Sequence, residues 1–349
     1  MEYNSKKIEI SIIMPTYNAE ATIEKVLQSI RNQKDISEEI VEILIIDGGS
    51  TDKTTEIARR YNAKILFNEK RMPEAAKNIG VLKAIGKWAM FLDSDEILID
   101  PYSLIRRLEF LKSNPNISYL ATSGIQSEKS ANGVVRYANR VGDPFSNFVY
   151  YSYNGEDRIE TAKKLYTYEK KDNGYIFFYA KDQLLPLYDA KGDMFSLMLA
   201  KKLYDRSFDK VNFAGTIFDQ ICEKTKCAAI LENDPVLHIP RMTGFTYREK
   251  LKWRIKNNLY GSETGTGFAT RREIKKGLIV RQYMFVMYCL LIIPPLIDSI
   301  RLVIKTHDMY FFLHFVWTEY VFGMIGYFIL RKLLKMPLYM DTSYAKKER

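Results

Sequence analysis

Short apolar runs and amphipathic segments alternate strictly between residues 8 and 92, and few folds accommodate such a pattern. Continuous or alternating apolar residues predict four strands, at 8–13, 41–46, 63–67 and 88–92. Apolar residues at helical spacing and helix-favouring ends predict three helices between them, at 21–30, 54–61 and 73–85. This alternation predicts an α/β fold, in which helices cover both faces of a mostly parallel sheet. Ligands of such sheets bind beyond the carboxyl ends of the strands.

Acidic residues follow two of these strands, at the ends where this architecture places ligands. Asp47 closes the second strand, and Ser50 or Thr51 just after it is predicted to cap the next helix. Asp93 and Asp95 follow the fourth strand, and an extended backbone would project both carboxylates from the same side. This arrangement suits a divalent cation that bridges the oxygens of a diphosphate. A solvated turn that caps the following helix is the alternative, because Asp and Ser are common in turns.

Four motifs in this order and spacing resemble those of the family 2 glycosyltransferases with the GT-A fold: residues 12–18 (IIMPTYN), 45–52 (IIDGGSTD), 76–80 (AKNIG) and 91–96 (FLDSDE). The resemblance implies a GT-A catalytic domain over residues 1–240 and a nucleotide sugar, linked to UDP or GDP, as the donor. It implies a base and ribose pocket lined by Pro15, Thr16, Tyr17 and Asp47. It also implies that Asp93, Ser94 and Asp95 form a site that holds the nucleotide sugar through Mg²⁺ or Mn²⁺.

The chain departs from the family pattern at two positions. Gly48 stands where a second acid is common, which leaves the choice of nucleotide open, and Lys77 replaces the usual Arg before Asn78. Independently of the family, Lys77 and Arg71 place positive charge between the third and fourth strands, where it could neutralise a leaving diphosphate. A solvated helix face is the alternative for these basic residues.

Transfer to a hydroxyl requires a base on the side of the sugar opposite the metal. By resemblance, residues 215–222 match the region where the family carries a Glu-Asp pair at the start of a helix. Asp219 matches the proposed general base, whereas Phe218 stands where the Glu is common, and Asp209 is a competing candidate. The alternative for Asp219 is an acid that is favoured by the dipole at a helix N-terminus.

His238 is the one histidine outside the apolar C-terminal part of the chain. In the GT-A fold a histidine at the end of the catalytic region can complete the metal shell, so the resemblance makes His238 a third metal ligand. A lone histidine is otherwise more often structural.

The chain combines basic and apolar segments after residue 240. Residues 241–277 surround Leu251, Trp253 and Ile255 with basic residues, which is typical of a helix on an anionic membrane surface. Residues 278–335 contain apolar stretches at 278–297 and 309–330 that predict two membrane helices, and residues 336–349 form a basic cytosolic tail.

Prolines interrupt the first apolar stretch and Glu319 the second, so spanning helices, helices in the interface and a soluble hairpin remain open. Lysines and arginines before the first stretch and after the second predict a cytosolic catalytic domain at the cell membrane. The net charge of +10 suggests an anionic partner, and the apolar stretches favour membrane lipids over nucleic acid. Three cysteines exclude a disulfide scaffold.

Together these features predict a metal-dependent, inverting glycosyltransferase that acts on a lipid-linked glycan or another saccharide at the cytosolic membrane face. One alternative is a polyprenyl-phosphate sugar synthase, whose acceptor is a lipid phosphate. Another is a membrane-bound scaffold that keeps the fold without turnover.

Overall fold

The structure, a computed structural model, describes residues 7–150, 158–178, 191–204, 213–260 and 277–336. The competing base Asp209 and nearly all of the predicted tail lie outside the described residues.

The predicted alternation of strands and helices is confirmed in the first part of the chain. Strands pair in parallel as β1 (Ile10–Thr16), β2 (Val41–Asp47), β3 (Lys64–Phe67) and β4 (Trp88–Phe91). The helices between them are α1 (Ile23–Arg31), α2 (Thr54–Arg60) and α3 (Pro73–Lys83). The predicted cap of α2 is wrong: the N–H of Thr54 donates to Asp52 Oδ1 (3.0 Å), and no hydroxyl of Ser50 or Thr51 caps the helix.

The following segment extends this sheet and adds a smaller one. Its helices are α4 (Ser103–Ser113), α5 (Gly133–Val141), α6 (Pro144–Tyr150), α7 (Arg158–Leu165), α8 (Leu197–Leu203) and α9 (Phe213–Thr225). Its strands are β5 (Glu96–Leu98), β6 (Tyr119–Ala121), β7 (Ile125–Gln126), β8 (Thr167–Lys171), β9 (Gly174–Phe178), β10 (Met194–Ser196), β11 (Cys227–Leu231) and β12 (Val236–His238). Among the described residues, the main sheet has the order β3-β2-β1-β4-β10-β6-β11-β9-β8, and the smaller one β5-β12-β7.

Successive side chains of a central strand point to opposite faces of the sheet, and an apolar cluster covers each face. In β1, Ile12 and Met14 join the apolar cluster that contains α1, whereas Ile13 joins the cluster that contains α3 and α9. This explains why β1 reads as a continuous apolar run, as strands of parallel sheets do. It also leaves the carboxyl ends of β1, β2 and β4 together at one edge.

The C-terminal helices are α10 (Gly244–Tyr260), α11 (Gly277–Leu290), α12 (Ile293–Thr306) and α13 (His314–Leu333). They share an apolar cluster with α5 and α6, which precede the predicted boundary at residue 240. The predicted stretch 278–297 is divided between α11 and α12, which meet at a bend of 88°. Pro294 and Pro295 lie in the first turn of α12. Backbone N–H groups there have no partner within the helix, so the N–H that proline lacks costs no helical hydrogen bond. Residues Met309–Leu333 form the one described helix that is long and apolar enough to cross a membrane, and the bent pair would be a second if it counts as one span.

Candidate active site

The loop after β2 is built around the carboxylate of Asp47. Parallel pairing sets Thr16 opposite Asp47, and Thr16 Oγ1 donates to Asp47 Oδ1 (3.0 Å). The backbone N–H groups of Gly49 and Ser50 donate to Oδ2 (2.9 and 2.8 Å), and Ser50 Oγ donates to Oδ1 (2.5 Å). Three of these hydrogen bonds therefore hold the loop on Asp47, and the fourth, from Thr16, connects Asp47 to the end of β1. Sequence reasoning placed Asp47 at this edge, and the structure adds its part in shaping the loop.

Pro15 and Tyr17, also predicted for the nucleotide pocket, are partly exposed at the same edge. A side chain at position 48 would have its Cβ 3.3 Å from the ring of Tyr17, so Gly48 allows that ring to lie close to the loop. The ring of Phe67, which is 65% exposed, and the guanidinium of Arg71 border Gly49. Aromatic faces beside a cation suit a base and a phosphate. Sequence reasoning missed Phe67, because an apolar residue at the end of a strand is normally predicted to be buried in the core.

Lys77 and Asp93 form an ion pair at the end of β4. Lys77 Nζ lies 3.0 Å from Asp93 Oδ1 and 5.3 Å from the ring centroid of Phe91. Burial opposes the charge on Lys77, but Asp93 and Glu96 outweigh it and raise the pKa of the ammonium. Burial likewise opposes the charge on Asp93, but Lys77 and Lys191 lower the pKa of that carboxyl. Both partners are therefore charged at neutral pH. Ser94, between the two aspartates, is partly exposed.

Asp95, Glu96 and His238 bring three potential metal-ligand atoms within 4.8 Å of one another. Antiparallel pairing of β12 with β5 sets His238 opposite Glu96, and His238 Nε2 lies 3.3 Å from Asp95 Oδ2. Asp93, which was predicted in this set, is not in the group that the described residues form, because its carboxylate faces Lys77. Glu96 was not predicted, since its neighbours Asp93 and Asp95 already accounted for the acidic motif.

The hydrogen bonds around His238 fix its tautomer. Asn139 donates its amide N–H groups to the carbonyl of His238 (2.9 Å) and to Ser127 Oγ (2.8 Å), so its Oδ1 accepts from His238 Nδ1–H (2.6 Å). Burial and the charge of Lys191 lower the pKa of His238, so the ring is neutral and Nε2 carries a lone pair. A hydrogen-bonded second nitrogen is typical of metal-ligating histidines. Asn139 is a residue of α5 that sequence reasoning missed.

Glu96 is fully buried among charged neighbours. Lys191 Nζ donates to its Oε1 (2.9 Å), and the N–H of Asp93 donates to its Oε2 (3.0 Å). Burial, with the charges of Asp93 and Asp95, raises the pKa of Glu96 to about 8, although Lys191 opposes this. A site with three neighbouring carboxyl groups thus has a strong demand for positive charge.

Asp219 lies in the second turn of α9 and is 5% exposed. It is not in the first turn as the resemblance implied, because the helix begins at Phe213. Phe218, which occupies the position of the family's Glu, packs its ring on Tyr119 (centroids 4.7 Å) and Phe91 (5.9 Å). Helix α9 packs against α3, which carries Lys77. The aromatic residue at 218 therefore belongs to the core beneath the site.

Residues 11–174 match the family model for glycosyl transferase family 2. Residues 11–174 therefore form a domain of glycosyl transferase family 2. An uncharacterized glycosyltransferase of Haemophilus influenzae is 40% identical to this chain over 111 residues, which are 30% of this chain but only 43% of that protein. The dolichyl N-acetyl-alpha-D-glucosaminyl phosphate 3-beta-D-2,3-diacetamido-2,3-dideoxy-beta-D-glucuronosyltransferase of Methanococcus voltae is 28% identical over 328 residues, which are 86% of this chain and 89% of that one.

A solved structure confirms the fold of this chain. A mannosyltransferase from Pyrobaculum calidifontis, solved with GDP-Man and Mn²⁺, superposes with a TM-score of 0.52 at 14% identity and covers 95% of this chain and 88% of that one. The predicted α/β GT-A fold is confirmed.

Proposed function

We propose that the chain is an inverting glycosyltransferase that moves a sugar from a UDP- or GDP-linked donor to a lipid-linked glycan or another saccharide. The observation that carries this proposal is the group Asp95, Glu96 and His238 beside the Lys77–Asp93 ion pair, at the carboxyl end of β4 in a family 2 domain. Carboxylates, a neutral imidazole and an ammonium at one edge suit the phosphate groups of a nucleotide sugar better than they suit a structural core.

The residues fit a divalent cation, because two carboxylates and an imidazole with a lone pair are ligands that Mn²⁺ or Mg²⁺ accepts. When bound there, such an ion would supply Lewis-acid stabilisation of the diphosphate leaving group. Lys77 would pair with the diphosphate and release Asp93, which could then contact the ion or the donor with Ser94. Asp219 would take the proton of the attacking hydroxyl in a single displacement that inverts the anomeric carbon.

A lipid-linked acceptor at the cytosolic membrane face is the second part of the proposal. The Methanococcus voltae relative, whose name includes a dolichyl-linked sugar, aligns with 86% of this chain, which is more than the catalytic domain of residues 1–240 alone. Helices α11 to α13 leave many apolar side chains exposed, including Tyr283, Met287, Leu290, Ile293, Ile304, Leu330 and Leu333. Many exposed apolar side chains on neighbouring helices are typical of membrane contact.

The test is transfer of label from radiolabelled UDP- and GDP-sugars into the lipid extract of membranes that contain the chain. Asp95→Asn should abolish the transfer, whereas Glu109→Gln, a change of an exposed acid on α4, should leave it intact. Label that appears only in soluble or protein fractions would contradict the lipid acceptor. Donor binding without transfer from any sugar would instead favour the non-catalytic scaffold.

A further inference from the structure

Lys191 brings its ammonium to the proposed metal ligands. Its Nζ lies 2.9 Å from Glu96 Oε1 and 3.2 Å from His238 Nε2. An ammonium can only donate, so it donates one N–H to the carboxyl oxygen and another to the lone pair of the ring. The same ring nitrogen lies 3.3 Å from Asp95 Oδ2, so a second carboxyl group borders the ammonium's acceptor. The ammonium therefore supplies the positive charge that these acceptor atoms require.

A metal ion would need the same place. Mn²⁺ or Mg²⁺ binds oxygen or nitrogen ligands at roughly 2.0–2.2 Å, so an ion bonded to Glu96 and His238 would lie against the present position of Lys191 Nζ. Like charges at that separation repel strongly in a buried site. We propose that Lys191 is an internal counter-ion that occupies the cation position and must withdraw for the divalent ion to bind. This inference rests on the metal site of the proposed function.

The backbone on the C-terminal side of Lys191 is fixed, so its side chain is the part that can withdraw. Thr122 Oγ1 donates to the carbonyl of Lys191 (3.2 Å), and Arg107 donates to the carbonyl of Gly192. Asp193 is fully buried and accepts from Tyr119 Oη (2.7 Å) and from the N–H of Thr122 (3.0 Å).

Gly192 adds to this anchoring. It has a φ of +66°, and a Cβ at that position would lie 2.5 Å from a methyl group of Val236. No other residue fits there without a shift. By contrast, a lysine side chain has a flexible four-carbon stem and can swing its ammonium aside.

The experiment measures Mn²⁺ binding to the full chain in detergent, by the electron paramagnetic resonance signal of free Mn²⁺. Lys191→Met removes the competing charge and should bind Mn²⁺ about tenfold more tightly than the wild type, a factor in the usual range of coupling between sites. Lys191→Arg keeps the charge and should not gain affinity. Lys170→Met, which removes a lysine paired with Glu232 on the surface, should match the wild type.

Equal or weaker Mn²⁺ binding by Lys191→Met would overturn the inference, and so would an equal gain in Lys191→Arg. If Lys191→Met does not fold, Glu96→Gln is compared with the double variant Glu96→Gln/Lys191→Met, which leaves no unpaired charge at position 96. The double variant should bind Mn²⁺ more tightly than Glu96→Gln alone, and equal binding would overturn the inference. Absence of Mn²⁺ binding in every protein would overturn the metal site itself, while transfer of labelled sugar tests the glycosyltransferase function separately.

Discussion

Individual residues at the site show how its charges are balanced. Three carboxyl groups, those of Asp93, Asp95 and Glu96, lie together with two ammonium groups, those of Lys77 and Lys191. Each ammonium contacts a carboxyl group that the proposed reaction requires for another purpose. We infer that both lysines stabilise the site before the ligands arrive, because unpaired buried carboxylates are costly. A cation would then replace the lysines as the partner of these carboxyl groups, and the diphosphate of the nucleotide sugar would pair with Lys77.

Asp52 shows a smaller electrostatic effect in the loop that precedes α2. It accepts from the N–H groups of Glu20 and Thr54 (3.0 Å each) and from Thr54 Oγ1 (2.5 Å). Burial opposes its charge, but these hydrogen bonds outweigh burial and lower the pKa of Asp52 below 3.8. Since the folded pKa is lowered, this stabilisation is present above the unfolded value and is lost as the pH falls through the folded value.

We therefore expect Asp52→Asn to lower the free energy of unfolding at pH 7, by less than about 1 kcal/mol because the group is largely solvated. The deficit should shrink as the pH falls through the folded pKa of Asp52 and disappear below it, where the wild-type carboxyl is also protonated. Thermal unfolding of both proteins across this pH range measures it. A deficit that stays constant in acid would show that the effect is not due to the charge of Asp52.

Asp219 is the residue whose substitution separates the two acceptor classes. A hydroxyl acceptor must lose a proton, so Asp219→Asn should lower the transfer rate by about 100-fold or more. A lipid phosphate is already ionised, and the same variant should then keep much of its activity. The measurement is label transfer to extracted lipid with a fixed donor, and the control is Asp219→Glu, which keeps a carboxylate. Near-normal transfer by Asp219→Asn would contradict a hydroxyl acceptor.

Helix α3 depends on a glycine to reach its position on the sheet. A Cβ on Gly80 would lie 2.2 Å from a methyl group of Ile13 in β1. The AKNIG motif thus places Lys77 one turn before the closest contact between helix and strand. This close approach brings the ammonium within reach of Asp93.

Gly80→Ala should therefore destabilise the fold by on the order of 1–3 kcal/mol, as overpacking does, and should also weaken donor binding by displacing Lys77. Gly323→Ala is the matched control, because a Cβ there meets nothing within 4 Å in the middle of α13. It should be neutral or stabilise by up to about 1 kcal/mol through helix propensity. Thermal unfolding in detergent compares the two, and changes of the same sign and size would refute the packing argument.

Strands β1 to β4 could be predicted from the sequence because each is a buried run that ends in a recognisable motif. The second half of the site could be predicted only in part, because the family resemblance indicated His238 but no sequence signal indicated Lys191 or Asn139. Strands β5 and β12 have three residues each, too few for a period to appear, yet their pairing brings Glu96 to His238 across the chain. Lys191 and Asn139 arrive from segments that carry no motif. Their roles follow from tertiary contacts, and local propensity contains no signal for them.

Over the whole molecule, the catalytic domain and the C-terminal helices are joined through α5. Arg136 Nε donates to Asp308 Oδ2 (2.6 Å), and Tyr137 Oη lies 2.7 Å from His314 Nδ1. The same helix carries Asn139, which orients His238. Helix α5 thus links the apolar helices to the proposed metal ligand. A lipid-linked acceptor that contacts those helices would lie beside an element that also shapes the site.

The apolar surface of α12 makes the membrane contact testable. Ile300 and Ile304 are 46% and 67% exposed and lie one turn apart on the same side of the helix, away from the buried Ser299. Charged side chains facing lipid cost several kcal/mol together, roughly 2.5–3.5 each at full depth, so Ile300→Asp/Ile304→Asp should reduce the share of the chain retained in membranes after a carbonate wash. Met198→Asp, at an equally exposed apolar position on α8, should leave that share unchanged. Equal retention of both variants would mean that α12 does not face lipid and that α11 and α13 account for any attachment.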